Sequence, residues 1–150
     1  MKKRNGIFSL FGDIAFYYLN YLDYFLENYP TLKIVHIYRD KEPVVNSYLA
    51  KTSKKENLRE YDNWTANTKR IDKIWTTCFP KYDTADKKEA IELYYDEYIE
   101  ATKKYKNKML EINVEEINTF EGQNKLFKYL EIPYSCRQYG DVRENAILNR

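Results

Sequence analysis

The stretch KIVHIYRDKEPVVNSYLAK, residues 33–51, decides the fold of this 150-residue chain. Its first six residues form a nearly continuous apolar, β-branched run, which is typical of a strand buried on both faces of a parallel sheet. Pro43 suits the first turn of a following helix. The apolar pattern of that helix continues through Val44, Val45, Tyr48 and Leu49. Arg39 therefore stands at the strand end, and Ser47 in the second helical turn.

Two interpretations of this arrangement are open, and the first is a phosphate site. In open α/β sheets, ligands bind beyond the carboxyl ends of the strands, where Arg39 stands. A helix beginning near Pro43 presents free N–H groups and the positive end of its dipole there. The planar guanidinium of Arg39 suits phosphate, and the Ser47 hydroxyl is a second donor. The alternative is an ordinary strand–loop–helix in which Arg39 pairs with Asp40, Glu42 or a distant carboxylate.

Hydrophobic periodicity elsewhere predicts one more strand and four more helices. The strand is KMLEINV at residues 108–114. The helices are residues 14–28 after an Asp13 N-cap, residues 67–75, a long helix capped by Asp83 or Thr84, and residues 122–130. The long helix carries the apolar stripe Ile91, Tyr94, Tyr98, Ala101 and Tyr105. Helices alternating with short apolar strands indicate a helix-rich α/β fold with a parallel sheet flanked by helices.

Composition bears on whether the protein folds and on whether it binds nucleic acid, a membrane or a metal. The hydrophobic content of 43% allows a folded domain, and the net charge of +2 gives no reason to expect nucleic acid or a membrane. Cys78 and Cys136 lack the spacing of a metal site, so we expect free thiols, no metal and a cytoplasmic protein. The basic and apolar start imitates a signal peptide, but Asp13 interrupts it. No apolar run reaches the ~20 residues that span a bilayer.

Several other side chains are of types that can serve as catalytic or binding groups. His36 is expected to be a buried, hydrogen-bonded strand residue, and Asp13 and Asp23 have no defensible role as a catalytic base. Trp64 and Trp75 are expected to pack in the core, although they could line an acceptor pocket. No catalytic base is therefore assigned.

The string YPTLKIVHIYRDKEPVVNSYLAK resembles the 3′-phosphate-binding segment of the sulfotransferase family. There, an apolar strand ends in an arginine, and a serine follows eight positions later. Arg39 and Ser47 fall on those positions. The later strings IWTTCFPKYDTADKKEAIELYYDEY and KMLEINVEEINTFEGQNKLFKYLEIP are similar to the family's aromatic–proline segment, tyrosine-rich helix, late strand and ending. The resemblance covers about residues 12–133.

The resemblance implies an incomplete P-loop-type, sulfotransferase-like sheet. It also implies the donor 3′-phosphoadenosine 5′-phosphosulfate, whose 3′-phosphate Arg39 and Ser47 would hold, and an unknown acceptor. The family holds the 5′-phosphosulfate on a separate loop resembling PKSGTT, and no glycine of this chain precedes a Lys-Ser or Lys-Thr pair. The loop and its strand would lie upstream of Met1, so residues 1–150 are interpreted as a single partial domain.

Three functions remain open at this stage. The chain is a sulfotransferase-family protein that is active when the missing loop is supplied, a non-catalytic remnant that binds a nucleotide 3′-phosphate, or a Tyr-rich interaction protein without a ligand. We expect no sulfuryl transfer by these 150 residues alone. In the fold that this sequence resembles, the loop-bearing strand is central. Without it, either the two predicted strands pair directly, or the chain is marginal and associates through an open sheet edge, with itself or with a missing N-terminal piece. We expect the second outcome.

Overall fold

The computed structural model describes residues 12–53 and 60–140. The chain divides into two compact units, Met1–Pro30 and Thr31–Arg150. The first unit contains a 3-10 helix, Phe16–Tyr21, and α1, Leu22–Asn28. The second unit contains β1 (Ile34–Tyr38), α2 (Lys41–Thr52), α3 (Lys87–Lys103), β2 (Met109–Asn113), α4 (Val114–Ile117) and α5 (Phe120–Tyr129). The signal-like start and most of the charged stretch after α2 lie outside the described residues.

The sheet of the second unit is parallel, which confirms the α/β prediction. β1 pairs with β2 in a register that runs from Ile34 opposite Met109 to Tyr38 opposite Asn113. The two strands therefore pair directly, which is the first of the two outcomes considered above and the one that we did not expect. Ile37 is 43% exposed, so the prediction that β1 is buried on both faces is wrong for its C-terminal half. In the described residues this sheet has only two strands, so each strand has an edge without a neighbouring strand.

His36 is a buried strand residue, as the sequence predicts, and the structure shows that it also contacts α3. Its Nδ1 lies 3.4 Å from Oε1 of Glu111, the residue opposite it on β2. Its ring packs against Tyr38 on the same strand and against Tyr98 of α3, at centroid distances of 5.9 and 5.8 Å. Only Nδ1 of the imidazole has a polar partner, because Nε2 is buried and has no hydrogen-bond partner among the described residues.

The main hydrophobic core lies where α2 packs against α3. Its buried members are Val45, Trp64, Ala90 and Ile91. Aromatic and aliphatic side chains pack around them, namely Tyr48, Leu49, Phe79, Tyr82 and Tyr94. The core position predicted for Trp64 is confirmed, whereas Trp75 is 48% exposed and the same prediction is wrong for it.

The long helix α3 begins later than its sequence pattern indicates. Its N-cap is Asp86, whose carboxylate accepts the N–H of Lys88 at 2.8 Å, and not Asp83 or Thr84. The hydroxyl of Thr84 instead accepts the N–H of Asp86, because a short polar side chain can satisfy an N–H two residues further along the chain. Near the C-terminal end of α3, Thr102 is buried and Ala101 is exposed, so the predicted apolar stripe fails at Ala101. Its last member, Tyr105, is buried but lies beyond the end of α3.

The helix predicted after Asp13 is a 3-10 helix in its first half. The Asp13 carboxylate does not cap the helix, because it accepts the N–H of Ile14 and the hydroxyl of Tyr18. Aromatic side chains lose χ1 freedom in an α-helix, and neighbouring rings here pack edge to face, Phe16 on Tyr17 and Tyr17 on Tyr18. The end of α1 at Asn28, ahead of Pro30, agrees with the prediction.

Residues 67–75 do not form the predicted helix. Asn67 has a φ of 41°, which is a left-handed conformation incompatible with helix continuation. The Asp72 carboxylate then accepts the N–H groups of Ile74 and Trp75 at 2.8 and 3.4 Å. Local side-chain bonds of this kind give the main chain an alternative to helix.

The second strand ends one residue earlier than predicted. Val114 begins α4 and does not extend β2.

A buried polar segment begins at residue 62. Asp62 and Asn63 are each 1% exposed, and their carboxylate and amide both bind main-chain groups. Oδ1 of Asp62 accepts the N–H groups of Trp64 and Thr65, both at 3.0 Å. Burial acts to raise the pKa of Asp62, but these donors and the charge of Lys87 outweigh burial and leave that pKa below its usual value.

We predict that Asp62→Asn destabilises the protein at neutral pH by about 1–3 kcal/mol, because the buried N–H groups lose a charged acceptor. The pKa of Asp62 is lower in the folded state than in the unfolded state, where it is about 4, so the ionised carboxylate stabilises the fold at pH values above the unfolded-state pKa. This stabilisation is lost as the pH falls through the folded-state pKa. The difference from wild type should therefore shrink in acid. Urea unfolding from pH 7 to pH 3 measures it, with the exposed Asp83→Asn as control. Equal midpoints for the two variants at pH 7 would contradict the prediction.

Gly122 allows α4 and α5 to lie in close contact. It is buried in the first turn of α5, and a Cβ there would overlap the main-chain carbonyl of Glu116 in α4. That carbonyl also accepts the Thr119 hydroxyl at 2.8 Å, and the Thr119 hydroxyl in turn accepts the Gly122 N–H at 3.0 Å. The turn therefore has little freedom to move away from an added methyl group.

We predict that Gly122→Ala destabilises the protein by about 1–3 kcal/mol through this overlap. An unobstructed helical position would instead gain up to about 1 kcal/mol from the same change, so the sign of the effect is diagnostic. Gly140→Ala is the matched control, because a Cβ there meets no atom of the described residues within 4 Å. Chemical unfolding of both variants checks the prediction, and stabilisation by Gly122→Ala would contradict it.

Candidate functional site

The candidate site lies at the edge where both parallel strands end. Tyr38 and Asn113 stand opposite each other as the last register pair, so the chain leaves β1 and β2 at the same edge of the sheet. Arg39 follows β1 directly, and α2 begins two residues later. After β2, α4 begins at once with Val114. Two helix N-termini therefore belong to this edge.

The two helix N-termini differ in whether they are open to an anion. The Asn113 side chain caps α4 by accepting the Glu115 N–H at 2.8 Å, and Glu115 and Glu116 add negative charge to its first turn. At α2, Asp40 occupies the N-cap position but its side chain makes no capping bond. Because a helix cannot satisfy its own first N–H groups, those of Lys41 and Glu42 have no hydrogen-bond partner among the described residues.

Arg39 is exposed, and its guanidinium makes no ion pair or hydrogen bond with any described residue. The alternative pairing with Asp40 or Glu42 is therefore not formed. Its main chain is fixed, because the Tyr95 hydroxyl on α3 donates to the Arg39 carbonyl at 2.8 Å. The backbone of the strand–helix junction is thus held by α3, while its cationic side chain stays available.

The charges around the junction are mixed. Lys41 is neutralised by Asp96 of α3 at 2.7 Å. Burial raises the pKa of the Tyr95 hydroxyl, and the negative charges of Asp40 and Asp96 raise that pKa further, so Tyr95 remains a hydrogen-bond donor at neutral pH. Arg39 is consequently the cation at this edge that is not already paired within the described part of the chain, and it must supply most of the attraction for an anion.

Ser47 lies in the second turn of α2 and is partly buried. The core side of this helix contains Val45, and Ser47 stands roughly 160° round the axis from it, above Pro43. Its hydroxyl makes no hydrogen bond to the described residues. Six residues after Lys41, Ser47 is about 9 Å along the axis. A phosphate bound by both side chains would therefore lie beside the first two turns of α2, with the long Arg39 side chain reaching along them.

The structure offers no metal site in its described residues, where no group of three or more His, Cys, Asp or Glu side chains could hold an ion. Cys78 and Cys136 are both free thiols. None of the helices in residues 12–53 and 60–140 is long and apolar enough to cross a membrane. No family model, curated protein or solved structure matches this chain. Any assignment of function therefore depends on the chemistry of these residues.

Sequence reasoning did not identify Tyr95 as part of the junction. It grouped Tyr95 with Tyr94 and Tyr98 as a helix stripe expected to pack in the core. Tyr94 does pack against the core, and Tyr98 packs against Tyr94 and His36. Only the packing of α3 beside the β1–α2 junction shows that the Tyr95 hydroxyl instead donates to the Arg39 carbonyl. A further tyrosine in a tyrosine-rich amphipathic helix is too common to have indicated this.

We predict that Tyr95→Phe lowers the free energy of unfolding by about 0.5–1.5 kcal/mol, because one hydrogen bond to the Arg39 carbonyl is lost. Denaturant unfolding measures the change. The control is Tyr134→Phe, which removes the hydroxyl of a tyrosine that is 81% exposed and should leave stability unchanged. Equal stabilities of Tyr95→Phe and wild type would show that the junction is held by other contacts.

Proposed function

We propose that this protein binds the 3′-phosphate of a nucleotide beside the first turns of α2, with Arg39 and Ser47 as ligands. The nucleotide class is 3′-phosphoadenosine 5′-phosphosulfate and its product adenosine 3′,5′-bisphosphate, by the resemblance to the sulfotransferase family. In this proposal the two-stranded parallel sheet belongs to a P-loop-type, sulfotransferase-like fold.

The observation that carries the proposal is the unpaired guanidinium of Arg39 at the end of a parallel strand. Asp40 and Glu42 lie close to Arg39 in the sequence, and none of the described carboxylates pairs with it. The Tyr95 hydroxyl donates to its carbonyl and so fixes the main chain from which the guanidinium extends. A phosphate bound by arginine can accept two parallel hydrogen bonds.

Sulfuryl transfer requires more than a site for the 3′-phosphate of the donor. The charge that spreads over the transferred group must be stabilised, which the resembled family achieves with a glycine-rich loop and its lysine. The 150 residues contain no such loop. The proposal for these residues is therefore binding, and catalysis follows when a loop of that kind is supplied by further polypeptide.

We predict that adenosine 3′,5′-bisphosphate binds in calorimetric titration and that Arg39→Ala weakens the affinity roughly 10–100-fold, as expected for charge-assisted hydrogen bonds. Ser47→Ala should weaken it about 3–10-fold, because it removes one neutral donor. Adenosine 5′-monophosphate, which lacks the 3′-phosphate, should bind wild type and Arg39→Ala equally weakly.

Arg70→Ala is the matched control for charge. It removes a guanidinium that pairs with Glu60 beyond the far end of α2, and it should leave affinity unchanged. Equal weakening by Arg70→Ala and Arg39→Ala would show that binding is non-specific attraction to a cationic protein. Absence of binding by wild type would overturn the proposal and favour the interaction protein without a ligand.

A further inference from the structure

The loop of residues 69–75, KRIDKIW, exposes an apolar cluster among cations, and we call it the Trp75 loop. Ile71, Ile74 and Trp75 are 44, 76 and 48% exposed. Three cationic residues, Lys69, Arg70 and Lys73, lie next to them in the sequence and are also exposed. Single exposed apolar side chains are ordinary, but three within five residues, with three cations in the same loop, form a local surface of distinct chemistry.

The exposure is a fixed property of the loop, because its main chain is tied to the buried polar segment beneath it. Asn63 accepts the Asp72 N–H at 3.0 Å, and the Asp62 N–H donates to the Arg70 carbonyl. Asp72 turns its carboxylate to the N–H groups of Ile74 and Trp75. The loop's acid is thus directed into the turn, and its apolar and cationic side chains are left on the outside.

Positive charge is concentrated here. The seven residues contain three cations and one carboxylate, a net charge of +2 that equals the net charge of the whole chain. Arg70 pairs with Glu60 at 2.9 Å, whereas Lys69 and Lys73 have no partner in the described part of the chain. The net charge of the whole chain gave no reason to expect a membrane, because it does not show this local excess of cations.

We propose that the Trp75 loop docks the protein on the surface of an anionic membrane. Ile74 and Trp75 enter the headgroup region, and Lys69 and Lys73 contact the anionic headgroups. Tryptophan prefers this depth, because its ring is apolar and its indole N–H is polar. Exposed lysines beside inserted apolar side chains are the combination that binds negatively charged lipid.

The shape of the loop favours lipid over a protein partner. A stable protein interface buries about 800 Å² on each side and needs a complementary surface. Three exposed side chains on one short loop offer less area than that. A fluid bilayer surface adapts to such side chains, so it needs no matching pocket.

The test measures binding of the full chain to vesicles of phosphatidylcholine alone and of equal parts phosphatidylcholine and phosphatidylserine, by co-sedimentation and tryptophan emission. We expect binding to the anionic vesicles only, weakened by added salt because the attraction is screened. Emission should shift to the blue. Trp64 is already 1% exposed in the core, so the shift reports Trp75 and should disappear in Trp75→Phe.

Two substitutions separate the apolar and the electrostatic contributions. Ile74→Asp should reduce partition at least tenfold through lost apolar burial and added repulsion, and Lys73→Glu about tenfold through charge reversal. The matched control is Ile14→Asp, at an isoleucine that is 87% exposed in the first unit, which should change partition less than twofold. All three positions are exposed, and circular dichroism checks that each variant folds.

Four outcomes would overturn the inference. Wild type could fail to bind anionic vesicles, or could bind both vesicle types equally, which would remove the role of the lysines. Ile14→Asp could lose as much binding as Ile74→Asp, which would make the loop irrelevant. Concentration-dependent dimerisation that Ile74→Asp abolishes, without vesicle binding, would assign the loop to a second copy of the chain.

Discussion

The direct parallel pairing of β1 with β2 is the constraint on which the rest of the second unit depends. It joins segments that are far apart in the chain, and it sets a single edge from which α2 and α4 both begin. A two-stranded sheet has little stability of its own in water. Its persistence therefore requires the helices, and His36 shows one such link, because it contacts Glu111 on the neighbouring strand and Tyr98 on α3.

The irregular parts of the molecule are organised by polar groups that bind the main chain. Tyr95 fixes the carbonyl at the strand–helix junction, and Asn63 fixes the turn that begins the exposed loop. In each case a side chain from a well-packed region satisfies a main-chain group in a region without regular structure. Loops keep a defined shape in this way when they have no regular pattern of main-chain hydrogen bonds.

Local charge matters more than net charge in this protein. A chain with net charge +2 has almost balanced acids and bases. Yet the carboxylates near the β1–α2 junction leave Arg39 unpaired, and the one acid of the Trp75 loop faces into its turn. Recognition of an anion depends on which cations are already neutralised by neighbours, and that is a property of packing.

The sequence by itself determined the position of β1, the C-terminal end of α1, the start of α2 near Pro43, the core position of Trp64 and the burial of His36. These features follow from local rules, since apolar periodicity, proline positions and β-branched runs act within a few residues. It also placed Arg39 at a strand end and Ser47 on the next helix, because both positions follow from where those elements begin.

Only the tertiary structure decided the rest. Direct strand pairing, the cap at Asp86, the turn at residues 67–75 and the exposure of Trp75 all depend on contacts between distant segments or on competition among nearby polar groups. Sequence patterns record which side chains are apolar. They do not record whether Thr84 or Asp86 caps a helix. They also do not record which of two tryptophans packs in the core with Val45 and Ile91. Those outcomes are fixed by packing, because each buried position excludes every other candidate for the same volume.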